Sequence, residues 1–79
     1  MTCLVYLTTP DGYKNWRVEV DKISCSTECP GMLFLQKLTK RGNYQGIGCL
    51  SYDGQMWVYT PANASKQMVL VLRWVVMVE

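Results

Sequence analysis

An Asp-Gly pair between two apolar runs limits the folding options of this chain more than any other feature. The segment reads Gly48-Cys49-Leu50-Ser51-Tyr52, then Asp53-Gly54, then Gln55-Met56-Trp57-Val58-Tyr59. Asp-Gly is the favoured centre of a two-residue type I′ hairpin turn, because both central positions need positive φ. A turn that tight pairs Tyr52 with Gln55, Leu50 with Trp57 and Gly48 with Tyr59. Cross-strand partners share a face, so Leu50, Tyr52, Trp57 and Tyr59 line one side and Ile47, Cys49, Met56 and Val58 the other.

Similar punctuation recurs at Pro10-Asp11-Gly12, Cys29-Pro30-Gly31, Arg41-Gly42-Asn43 and Pro61-Ala62-Asn63. It divides the chain into about six short segments, the spacing of a small β-sandwich or barrel. Cys3–Thr8 is β-branched and apolar enough for a strand. Trp16, Val18 and Val20 alternate with Asn15, Arg17 and Glu19, which predicts a half-buried antiparallel strand. The run from Met68 to Val78 holds five valines and is apolar on both faces. That predicts a strand placed centrally in a sheet or bridging two sheets. Gly46-Ile47-Gly48 predicts a strand bend or bulge.

The stretch from Cys29 to Gly42 fits two readings. As a strand it runs from Met32 to Lys40 into a turn at Gly42-Asn43. As a helix it has Pro30 in the first turn, basic residues in the last and Gly42 as cap. Strand is the preferred reading. The expected fold is therefore all-β, a small antiparallel barrel or sandwich of five to six strands in a single compact domain over 1–79. The alternative is α+β with one helix near 30–41.

Composition narrows the function classes. At 79 residues and 49% hydrophobic, the chain is too apolar to be a disordered tail. A domain this short leaves several large apolar side chains partly exposed. A net charge of +2 is a weak nucleic-acid footprint. The chain contains no histidine, which removes Ser-His-Asp and Cys-His catalysis and the commonest metal ligand. The acids are Asp11, Glu19, Asp21, Glu28, Asp53 and Glu79, mostly at turns or on the outer face of a strand, and Asp11 and Asp53 have turn-forming roles. No phosphate-binding glycine motif occurs. The expectation is a non-enzymatic protein with no cofactor.

Cys3, Cys25, Cys29 and Cys49 would all be needed for a zinc site in a chain without histidine. They lack paired Cys-x2-Cys spacing, so free thiols are the preferred reading. The opening MTCLVYLTTP lacks the pattern of a signal peptide. Met68–Val78, interrupted by Arg73, falls short of the roughly 20 residues of a spanning helix. A soluble cytoplasmic protein away from membranes is expected. On that expectation, Asn63-Ala64-Ser65 is a glycosylation match without consequence.

The aromatic face of the hairpin supplies the candidate site. Tyr52, Trp57 and Tyr59 would anchor a protein partner, with Tyr13, Lys37 and Arg41 at the rim; the other reading makes this face the core and turns the Cys49 face outward. The same rings, steered by Lys37, Lys40 and Arg41, would alternatively stack single-stranded nucleic acid. An exposed apolar patch or an unpaired edge strand also allows a homodimer. In length alone the chain is similar to small accessory proteins of phages and mobile elements. That similarity implies an inhibitor that occludes a surface on its partner.

Overall fold

A computed structural model describes residues 2–63 and 69–78. Its strands are β1 (Thr2–Thr8), β2 (Asn15–Val20), β3 (Lys22–Ser26), β4 (Cys29–Leu38), β5 (Tyr44–Tyr52), β6 (Trp57–Pro61) and β7 (Leu70–Val78). All pair antiparallel in one sheet of order β2-β1-β7-β6-β5-β4-β3. No described residue is helical, so none belongs to a helix able to cross a membrane. The Met68 start of the last run and the Ala64-Ser65 part of the glycosylation match lie outside the described residues.

The all-β expectation holds, but its details need correcting. Seven strands form where five to six were expected, and they make one sheet that is not closed into a barrel. The extra strand arises because β2 and β3 are separated by Asp21 alone, with no glycine or proline to mark the break. The helix near 30–41 is absent. Pairing with β3 on one side and β5 on the other holds Cys29–Leu38 extended. Gly42, at φ +88, serves a hairpin turn rather than a helix cap, and its N–H donates to the Thr39 carbonyl at 3.0 Å.

β2 and β3 are the two edges of the sheet, yet they are one residue apart in the chain. The sheet must therefore roll until the start of β3 lies beside the end of β2, although the two edges do not pair with each other. Asp21, between the two strands, is tied to β4 and extends the β3–β4 ladder by one residue. Its N–H donates to the Gln36 carbonyl at 2.9 Å, and its Oδ2 accepts the Leu38 N–H at 2.7 Å. Lys37 and Glu19 face each other across the same junction at 4.0 Å.

Rolling creates one concave face, and the side-chain alternation fills it. Val5, Leu7, Val20, Leu35 and Leu50 are fully buried there, joined by Cys3, Tyr59 and Leu70. Trp16 and Val18 pack against this core, as their alternation predicts. The Gly46-Ile47-Gly48 bulge is also present. Leu35 pairs with Gly48 and Gln36 with Gly46, leaving Ile47 as the extra residue.

Candidate functional site

The β5–β6 hairpin has a looser turn than Asp-Gly predicts. Tyr52 pairs with Trp57 and Leu50 with Tyr59, so Asp53–Met56 forms a four-residue connection. Asp53 rather than a type I′ turn organises it. Its Oδ1 accepts N–H bonds from Gln55 and Met56, both at 2.9 Å. These two bonds, Met56 first, hold the Asp53 carboxyl below its usual range. The register moves by two positions, and a shift of two preserves the faces. Leu50, Tyr52, Trp57 and Tyr59 therefore still share a side.

That side points inward, so the three rings are not an exposed platform. Tyr59 is 7% exposed, and its hydroxyl donates to the Ile47 carbonyl at 3.2 Å. Burial pushes its phenol above the ordinary value. Trp57 is half-buried against the core. Only Tyr52 stands out, 51% exposed, its ring 5.3 Å from that of Trp57. Tyr13 is 84% exposed in the β1–β2 connection. Lys37 is engaged with Glu19, and Lys40 and Arg41 lie exposed in the β4–β5 turn. The six sequence-selected residues thus lie on separate parts of the sheet, with Tyr52 and Trp57 the only ring pair among them.

The cysteines are not gathered. Cys3 is buried on β1, Cys49 is half-buried on β5, and Cys25 and Cys29 are exposed near the β3–β4 turn. The Cys3 thiol is 3.2 Å from the Met77 thioether. Among the described residues no three histidine, cysteine or acidic side chains are placed to hold a metal ion. The four-cysteine zinc staple is therefore not assembled. Of the carboxylates, Asp11 is committed to its own turn. It accepts from the Thr9 hydroxyl and from the Tyr13 N–H, and these bonds lower its pKa.

A different aromatic cluster emerges on the convex face. β1 pairs Leu4 with Val76 and Tyr6 with Trp74, and these four side chains point away from the core residues Cys3, Val5 and Leu7. The Tyr6 and Trp74 rings lie 5.4 Å apart. The Arg73 guanidinium sits 4.4 Å from the Trp74 ring centroid and donates to Asn15 Oδ1 at 2.9 Å. Trp74 is 47% exposed. On β2, Arg17 pairs with Tyr6 and Glu19 with Leu4, so charges flank the apolar rows. The sequence signal for this patch was the two-sided apolar character of the last run. What it lacked was the knowledge that β1 is the neighbour.

A second concavity, of about 390 Å³, lies over β5 and is lined by Phe34, Gly46, Gly48, Cys49, Thr60 and Ala62. Gly46 leaves open space there, with nothing within 4 Å of where its side chain would be. Compared with protein-family models, with curated proteins and with solved structures, the chain has no match.

Proposed function

We propose that this protein is a non-enzymatic interaction module that covers a surface on a protein partner. The observation that carries the reading is the convex patch of Leu4, Tyr6, Trp74 and Val76 beside Arg73. Tryptophan, tyrosine and arginine are the residue types that dominate binding hot spots. An apolar centre ringed by charge, here Arg17, Glu19 and Arg73, is the usual anatomy of a protein-binding surface. The two rings, tilted against each other, are held by strand pairing, so little side-chain freedom is lost on docking. Steric occlusion of the partner, as an inhibitor would act, follows from a small rigid sheet presenting one sticky face. Tyr52 and Trp57 form a secondary contact in this reading.

The test is capture of a partner from the native host lysate by the wild-type chain and by two variants. Trp74→Ala should weaken retention of the captured protein by about 2 kcal/mol or more, roughly thirtyfold, with an unchanged circular dichroism spectrum. Trp57→Ala should weaken it less. Retention of the partner by Trp74→Ala at wild-type strength would remove the patch from the mechanism.

A further inference from the structure

β7 lies inside the strand order, yet most of one side is open. β1 pairs with it from Val71 to Val78. Among the described residues, β6 reaches β7 at Leu70 and Val71 alone. From Leu72 to Val78, the side turned away from β1 has no ladder partner among the described residues. A strand directs N–H and C=O groups to both sides, so this length offers unpaired donors and acceptors. What fits such an edge is another strand.

The two terminal edges of the sheet are defended in the usual ways. β2 carries Arg17 and Glu19, and β3 is five residues long and begins with Lys22. On β7 the charge and the irregularity are confined to Arg73, which the register shift between Tyr6 and Leu7 leaves unpaired; beyond it the edge is undefended. Trp74, Val75, Val76, Met77 and Val78 follow one another without a charge, and each is at least 40% exposed.

We propose that this edge receives a second copy of the chain, β7 against β7, antiparallel about a two-fold axis at Val76. The segment is complementary to itself in that register. Trp74 meets Val78 of the other copy, Val75 meets Met77, and Val76 meets its own equivalent. Every cross-strand pair is apolar on both faces of the sheet. The two sheets become continuous, and the Tyr6–Trp74 patches lie on the same side of the joined sheet. The dimer uses the backbone edge of β7 and the proposed partner its convex face; Trp74 and Val76 belong to both, whereas Val75 and Met77, opposite Val5 and Cys3 on the other face, belong to the dimer alone.

The test is sedimentation of the full chain over a wide concentration range. The wild type is expected to be a reversible dimer. Val75→Lys combined with Met77→Lys sets two lysine pairs across the axis and should weaken association by about tenfold or more. Val75→Glu combined with Met77→Lys replaces them with opposite charges and should restore the dimer. Amide hydrogen exchange on the wild type provides a second readout independent of whether the variants fold. Protection at Leu72–Val78 should rise with concentration. A wild type that stays monomeric, a double-lysine chain that dimerises equally well, or exchange at β7 insensitive to concentration each overturns the proposal. Because Trp74 lies in both surfaces, Trp74→Ala is sedimented as well: loss of partner capture with dimerisation intact assigns the face, and loss of the dimer in the double-lysine chain with capture intact assigns the edge.

Discussion

Asp53 illustrates how one residue sets local structure and a pH response together. Its carboxylate gathers the Gln55 and Met56 N–H groups, and both bonds favour the charged form. The folded pKa is therefore depressed below the unfolded value of 3.8. A depressed carboxyl contributes stability that is present above its unfolded pKa and lost as pH falls through the folded one. Asp11 acts in the same direction through Thr9 and Tyr13. Urea midpoints should thus fall as pH drops from about 5 toward 2. Asp53→Asn keeps an acceptor oxygen but has no proton to gain, so its midpoint should change less over that window. Parallel wild-type and variant profiles would remove Asp53 from the acid response. Gly48 is constrained in another way. A Cβ at this position would lie 2.6 Å from the Tyr59 hydroxyl, so the glycine is what lets that ring lie flat over β5 and seal the core.

Elements were legible where local chemistry decides them and illegible where a partner strand does. The β2 alternation and the shared face of Leu50, Tyr52, Trp57 and Tyr59 could be read because period two is a property of the segment alone. The hairpin register could not, because Asp53 bonds to its own loop and outcompetes the two-residue turn. β4 had a plausible helix reading, with Pro30, Gly42 and basic residues in suitable places. Ladders on both sides outweigh those weak preferences. The break at Asp21 carries no turn signal because it is no turn. It is the point where the strand leaves one edge of the sheet and joins the other. Asp21→Ala removes the carboxylate that accepts the Leu38 N–H while leaving the backbone bond to Gln36. The expected loss is about 1 kcal/mol for an exposed hydrogen bond of this kind. It should appear in urea unfolding together with faster amide exchange at Leu38. Unchanged exchange there would mean that the rolled edges hold without the side chain.

At the scale of the whole molecule, the inward and outward faces of the sheet decide which aromatic residues are available to a partner. Sequence patterning identified a ring-bearing face but not its direction, since both faces of the β5–β6 hairpin are apolar enough to be core. Direction is fixed by the roll of the sheet, and the roll depends on β2 and β3 being the opposite edges. That same topology sends Trp74 outward and Tyr59 inward, although both come from apolar strands. The core that remains is small: Val5, Leu7, Val20, Leu35 and Leu50 are its fully buried side chains. Folding and recognition should therefore be separable by substitution. Leu35→Ala opens a cavity in the fully buried layer and should cost about 2–5 kcal/mol. For a domain this short, that approaches the whole of its stability. Trp74→Ala removes a half-exposed ring packed at a tilt against Tyr6 and should cost about 1 kcal/mol. Chemical denaturation of the two variants side by side measures the contrast. If Trp74→Ala unfolds the chain as Leu35→Ala does, the convex patch is a structural layer and its exposed rings cannot be assigned to a partner.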